Sequence, residues 1–189
     1  MPPSTAYPLV GSALSALVFA FFGSAWLSLG LAATHQLTRA TALVVGAGLL
    51  LLVLLASWVL RQAKRLPAPA ARPADAVQAR RQWQVFGLVN AGQWGGIFLA
   101  SWLLPRLGLA VYFTPVMAVL VGVHLFPLAR LFRYASHYWT GGAFLLWVAG
   151  CLLLLPSSQW QADVALGAGV ILWGSAGYGL WRASHQLWG

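Results

Sequence analysis

A single histidine stands in the middle of an apolar stretch of this chain. His124 precedes Arg130 by six residues, which is about 9 Å along an α-helix. Ionisable side chains inside the apolar helices of membrane proteins are rare, and they face the bundle interior or water. Pro127 lacks the N–H that would bond to the carbonyl of Val123, so we expect a kink beside the histidine. The sequence therefore predicts a binding site around His124, with a neutral imidazole that only bonds a neighbouring helix as the alternative.

Other polar and aromatic residues lie at a comparable distance from the ends of their apolar segments. Asn90 follows Gln84 by six residues, and residues three and four positions after Asn90 share its helix face. We predict that these residues and His124 line one polar cavity, open to the cytoplasm, for a small neutral, amphipathic or lipid-like molecule. The alternative is a set of separate interhelical hydrogen bonds, each worth about 0.6 kcal/mol. The predicted ligand-binding residues are His124, Asn90, Gln93, Trp94, Ser175 and Tyr178.

The remaining reactive residue types do not form a catalytic or metal-binding pattern. The only two acids, Asp75 and Asp163, lie between apolar segments, so a carboxylate proton relay or cation site within the bilayer is not expected. Zinc-protease, nucleophile-elbow, phosphate-loop and C-x-x-C motifs are all missing from the sequence. His124 and His137 are separated by a basic turn, which disfavours haem ligation. We predict no catalytic residue, no metal and no cofactor; an enzyme that uses His124 is the least favoured hypothesis.

Composition places the chain in a membrane. Of its 189 residues, 60% are hydrophobic and only 7% are charged, whereas soluble domains carry about 25% charged residues. About 20 apolar residues cross one hydrocarbon core. We therefore predict an all-α membrane protein, a single transmembrane domain in the form of a six-transmembrane-helix bundle. The predicted spans are residues 9–31, 41–60, 85–104, 112–131, 138–155 and 164–181.

The segment 61–84 between the second and third spans is basic and rich in proline and alanine. Such sequence favours extended chain, although residues 74–84 could instead form a short interfacial helix. With this loop in the cytoplasm, nine Lys and Arg lie inside and only Arg39 and Arg106 lie outside, as the positive-inside rule requires. We predict a multi-pass protein of the bacterial cytoplasmic (inner) membrane with both termini cytoplasmic. Anionic lipid headgroups are the expected partners of the basic loop, and nucleic acid is not, because the charges flank apolar spans.

Small residues predict close helix packing. Gly92 and Gly96 form a G-x-x-x-G pair, which lets two backbones approach closely in lipid. The partner helix can belong to the same chain, to a second copy or to another membrane protein, so a structural or accessory subunit is the main alternative function. The segments Gly46–Gly48 and Gly167–Gly169 both read Gly-Ala-Gly, each with an arginine 15 residues after its first glycine. Either an internal repeat or chance similarity explains this match.

The run Gly122–Arg130 has the form G-x-H-x-x-P-L-A-R. It resembles a sequence found in small, uncharacterised bacterial integral membrane proteins with six helices. The resemblance extends from about Pro115 to Trp139. It implies the same membrane fold and carries no activity.

Overall fold

Six α-helices make up nearly all of the part of the chain that the structure describes. This is a computed structural model, which describes residues 6–66 and 73–188. The all-α prediction is confirmed, while residues 67–72 of the predicted basic loop lie outside the described residues. The helices are α1 (Ala6–Ala33), α2 (Arg39–Ala63), α3 (Pro73–Arg106), α4 (Phe113–Phe132), α5 (Ala135–Leu154) and α6 (Trp160–Trp188), with a 3₁₀ turn (Ala110–Tyr112) before α4.

Five of these six helices are long and apolar enough to cross a membrane, so the chain is a multi-pass membrane protein by helix length and hydropathy. The helix that is not among them is α3, although it has 34 residues. Asn90, Gln93 and several glycines dilute its apolar sequence. The second half of the predicted loop is helical, because α3 begins at Pro73 and continues without interruption to Arg106. The five candidate spans are Leu9–Ala33, Arg39–Ala63, Ala110–Phe132, Ala135–Leu154 and Trp160–Leu187.

Helices α1 and α6 have the most extensive contact of any pair, and they run antiparallel. Gly30 lies against Leu166, and Gly23 lies against Gly169. A Cβ on Gly23 would lie 3.2 Å from the carbonyl oxygen of Gly169, and one on Gly169 would lie 2.9 Å from that of Gly23. The two backbones therefore touch, which is the close approach that small residues permit in lipid.

The six helices alternate in direction along the chain. Phe86 packs against Phe132, with 5.8 Å between ring centroids, and Gly96 faces Leu120. These two contacts make α3 antiparallel to α4. Three further sequential pairs (α1–α2, α4–α5 and α5–α6) are joined by the short connections 34–38, 133–134 and 155–159, and the antiparallel contact of α1 with α6 fixes the direction of α2 relative to α3. The first helix thus begins at the end of the bundle where the last helix ends.

The alternating directions separate charged residues between the two ends. One end, called the basic end below, contains the start of α1, α3 and α5 and the finish of α2, α4 and α6. The opposite end contains Arg39, Arg106 and Asp163, so it carries little net charge. The described basic residues at the basic end are Arg61, Lys64, Arg65, Arg80, Arg81, Arg130, Arg133 and Arg182.

Trp173 holds three helices together at the centre of the bundle. Its Nε1 donates to the carbonyl of Ala20 and to Oγ of Ser24, both at 3.2 Å. Its ring occupies the space beside Gly23 of α1 and Gly48 of α2. The indole fits because neither glycine has a side chain at these positions.

Candidate functional site

The predicted site residues divide between two places in the bundle. The four residues His124, Asn90, Gln93 and Trp94 belong to α3 and α4, whereas Ser175 and Tyr178 belong to α6, beside α5. Helix α3 packs mainly on α4, which keeps its polar residues away from α6. The structure thus brings Ser175 and Tyr178 together in one groove that contains none of the other four.

His124 is half-buried on α4 and lies beside the backbone of Val89 in α3. Its Nδ1 atom is buried and has no hydrogen-bond partner within the described ranges. Helix α4 continues through Pro127 to Phe132. His124 therefore faces the contact between α3 and α4, beside Val89, the residue that precedes Asn90.

The three α3 residues make mostly local contacts. The Asn90 amide donates to the carbonyl of Phe86, one turn earlier in the same helix, at 2.9 Å. Trp94 is 46% exposed, and its ring centroid lies 6.1 Å from that of Phe98. Gln93 is half-buried. Among the hydrogen bonds of the described residues, none joins these side chains to His124, and their predicted role in binding stays a prediction.

A groove of about 490 Å³ runs between α5 and α6 near the basic end. We call it the α5/α6 groove. On each helix the lining residues recur at i, i+3, i+4 and i+7, which is one face of a helix. Its walls face outward from the bundle, since Trp139 is 81% exposed and Tyr178 is 51% exposed. The lining residues are Ser136, Trp139, Thr140 and Ala143 of α5 and Ile171, Gly174, Ser175 and Tyr178 of α6.

Two hydroxyl groups on the groove lining are hydrogen-bonded to each other. Oγ1 of Thr140 lies 3.0 Å from the carbonyl oxygen of Ser136 and 2.8 Å from Oγ of Ser175. A hydroxyl has one proton to donate, and a carbonyl can only accept, so Thr140 donates to Ser136 and Ser175 donates to Thr140. Both donors are therefore paired within the protein. An apolar chain could lie over this pair without leaving a buried donor unsatisfied.

The lining of the groove is suited to binding. Its eight residues include no acid, no base and no thiol. The aromatic faces of Trp139 and Tyr178 and the aliphatic side chains of Ala143 and Ile171 offer apolar contact. The Tyr178 phenol can donate or accept one hydrogen bond. This combination holds a molecule with a long apolar part and a small polar part.

The α5 residues that line the groove are not among the ligand-binding residues predicted from the sequence. The residues Ser136, Trp139 and Thr140 carry a detectable signal, because they share one helix face by spacing. That face lies across from Ser175 only because α5 and α6 are antiparallel in this particular register. The contact between the α5 face and the α6 face is a tertiary contact, and no local sequence pattern specifies it.

A second polar cluster lies inside the bundle near the basic end. Ser12 of α1 is hydrogen-bonded to Tyr134, the residue before α5. The Tyr134 ring lies 5.6 Å from that of His137, whose Nδ1 is buried and has no hydrogen-bond partner in the described part of the chain. Burial raises the pKa of the Tyr134 phenol, and both the bond to Ser12 and the nearby charge of Arg182 act against this rise. The cluster thus ties α1 to the start of α5, and Arg182 of α6 lies near enough for its charge to act on Tyr134.

The resemblance seen in the run Gly122–Arg130 was tested by comparison with known proteins. What the structure supports is an all-helical protein with long apolar helices. The implied relationship to six-helix bacterial proteins stays a prediction. Comparisons with protein-family models, curated protein sequences and solved structures gave no match, so no family is assigned and the site is interpreted from its own residues.

Proposed function

We propose that this chain is a six-span protein of the cytoplasmic membrane that binds an amphipathic, lipid-like molecule in the α5/α6 groove. We count helix α3 as the sixth span. Two contacts support this, because Phe86 packs against Phe132 and Gly96 against Leu120, so α3 lies alongside the apolar helix α4. An even number of crossings also fits the antiparallel pairing of α1 with α6. The basic end faces the cytoplasm, since basic residues accumulate on that side of membrane proteins.

Cysteine accessibility tests the orientation. The native Cys151 is buried, so a Cys151→Ala background supports single cysteines at the exposed positions Arg39 and Arg81. A membrane-impermeant maleimide added to intact cells should label Arg39→Cys and not Arg81→Cys. Permeabilised cells should show labelling of both. Labelling of Arg81→Cys in intact cells would contradict the proposed orientation.

The observation that carries the binding function is the chemistry of the groove lining. Thr140 and Ser175 are paired with each other, and the rest of the lining is aromatic or aliphatic apart from the Tyr178 phenol and Ser136. A charged ligand would find no counter-charge along this lining. A chain with a polar head at the basic end would bury apolar surface and keep its head near water. We restrict the proposal to binding, because movement of a ligand through the bundle needs a path that the groove does not provide.

A pair of matched glycine substitutions tests this function. Gly174 lines the groove and is exposed, and a Cβ added there meets no atom within 4 Å. Gly174→Leu should therefore fill the groove without disturbing the bundle. Gly46→Leu is the control, because Gly46 of α2 is also exposed and a Cβ added there likewise meets no atom within 4 Å.

The probe is a monoacylglycerol with a photoactivatable diazirine in its acyl chain. Added to the purified protein in detergent, it should label residues of α5 and α6 near Ser136 and Tyr178. Gly174→Leu should lower this labelling several-fold, and Gly46→Leu should not. Equal labelling of all outward helices, unaffected by Gly174→Leu, would mean that the groove is ordinary lipid-facing surface.

The outward face of α3 favours a second function, as an accessory subunit that packs on a partner. A Cβ added to Gly92 or Gly95 would meet nothing within 4 Å, and Phe98 and Trp102 are 66% and 56% exposed. Open glycines between exposed aromatic rings resemble the contact surfaces of paired membrane helices. Light scattering of the detergent-solubilised protein tests for a second copy: Gly95→Leu should dissociate a dimer, and a monomeric wild type would exclude this form of the alternative.

A further inference from the structure

The face of α6 that lines the groove extends to a basic residue, Arg182. Ile171, Gly174, Ser175 and Tyr178 line the groove, and Arg182 follows Tyr178 by four residues, on the same helix face. The Arg182 side chain is exposed. Its charge acts on the phenol of Tyr134, the residue that precedes α5, which places Arg182 near the start of α5. A guanidinium therefore stands at the basic end of an otherwise uncharged groove.

The length of the groove matches one leaflet of a bilayer. Arg182 and Ile171 are eleven residues apart, or about 16 Å along α6. Half of a hydrocarbon core is about 15 Å. Next to Ile171 the surface is apolar, since Val170 is 62% exposed and Leu146 of α5 is 76% exposed. The groove thus runs from the headgroup region to the bilayer centre.

We infer that the groove holds an anionic phospholipid from the leaflet at the basic end, with its phosphate at Arg182 and one acyl chain along α5 and α6. This inference rests on the proposed function and deepens it by naming the class of ligand. Tyr178 lies about 6 Å deeper than Arg182, at the level where its phenol can donate to an ester carbonyl of the lipid. Arg133 precedes α5 at the same end and adds to the local positive charge. Anionic lipid is favoured over zwitterionic lipid because the groove lining contains no acid that could bind a cationic headgroup. The one acid among the described residues at this end, Asp75, belongs to α3, which packs mainly on α4 and not beside the groove.

The test is native mass spectrometry of the purified full chain with phosphatidylglycerol or phosphatidylcholine of identical acyl chains. Wild type should retain phosphatidylglycerol more strongly. Arg182→Gln should weaken phosphatidylglycerol binding about five-fold, as expected for one basic side chain near the surface, and leave phosphatidylcholine unchanged. Arg182→Lys should keep most of the preference. The control is Arg81→Gln, which removes an exposed charge at the same end from α3, away from the groove.

Each outcome bears on a definite part of the inference. An equal effect of Arg182→Gln and Arg81→Gln would show diffuse attraction to the basic end and would overturn the site. Displacement of the lipid by inorganic phosphate at the same concentration would show a phosphate site and would overturn it too. If Gly174→Leu lowers binding of both lipids while Arg182→Gln leaves their ratio unchanged, the inference fails and the proposed function stands. If Gly174→Leu lowers neither, both fail.

Discussion

Alanine substitutions at two nearby glycines of α2, Gly46 and Gly48, should change the stability of the bundle differently. Only Gly48 packs against another side chain, that of Trp173. A Cβ added to Gly48 would lie 2.5 Å from Cζ3 of Trp173, and closer still to Cη2. Carbon atoms in contact are about 3.5 Å apart, so the overlap with Cζ3 is about 1 Å. The indole ring cannot easily shift away from the added Cβ, because its Nε1 is hydrogen-bonded to Ala20 and Ser24 and the ring also touches Gly23.

We expect Gly48→Ala to lower the free energy of unfolding by about 1–3 kcal/mol, the usual cost of overpacking. Gly46→Ala is the matched control: it lies one alanine away on the same helix, with nothing within 4 Å of its Cβ. Since alanine favours a helix over glycine by about 0.8–1.0 kcal/mol, this variant should be neutral or more stable. The assay is reversible unfolding in mixed detergent and SDS micelles, followed by circular dichroism.

A double-mutant cycle identifies the cause. Phenylalanine lacks the outer indole carbons that meet Gly48, so Trp173→Phe should largely remove the penalty of Gly48→Ala. The packing described for Trp173 would be refuted if Gly48→Ala and Gly46→Ala were equally stable. It would also be refuted if the penalty of Gly48→Ala persisted unchanged in the Trp173→Phe background.

Three further predictions concern polar groups. Burial raises the pKa of Tyr134 in the folded state, so the folded protein holds this proton more tightly than the unfolded chain does. Wild type should therefore lose stability as the pH rises above about 10. Tyr134→Phe should lose less stability over that interval, and an equal loss would contradict a buried phenol. Because Asn90 bonds the carbonyl of Phe86 in its own helix, Asn90→Leu should leave the unfolding free energy within about 0.5 kcal/mol of wild type; a larger loss would show that the amide bonds another helix. Ser175→Ala removes one bond to Thr140 and should cost about 0.6 kcal/mol in the same micelle assay, whereas a cost above 2 kcal/mol would indicate a larger buried network.

Much of the architecture can be predicted from the sequence, because it depends on local quantities. Five apolar segments are long enough to cross a membrane by themselves, and the basic residues between them separate to one end when helix directions alternate. The third segment is the exception. Asn90 and Gln93 make it too polar to qualify alone, and the proposal that it is a sixth span rests on its packing on α4.

Which face of each helix meets which neighbour could not be predicted, because it depends on contacts between distant segments. The two Gly-Ala-Gly segments illustrate this. Gly46 has open space around it and Gly48 touches Trp173, whereas Gly167 touches Trp147 and Gly169 touches α1. The two segments have different neighbours, so the structure offers no support for the repeat. Depth alone places Asn90 in the predicted cavity. Its amide donates to the carbonyl of Phe86 in its own helix, a local contact that depth does not specify, and its role in binding stays a prediction.

The most direct test of the binding proposal is an electron cryomicroscopy map of the protein in nanodiscs that contain phosphatidylglycerol. The proposal predicts one elongated density in the α5/α6 groove that lies over the Thr140–Ser175 pair, with its head beside Arg182, and predicts its loss in Gly174→Leu. It would be contradicted by a map that reproduces the six helices and shows the groove occupied no more strongly than the outer faces of α2 and α3.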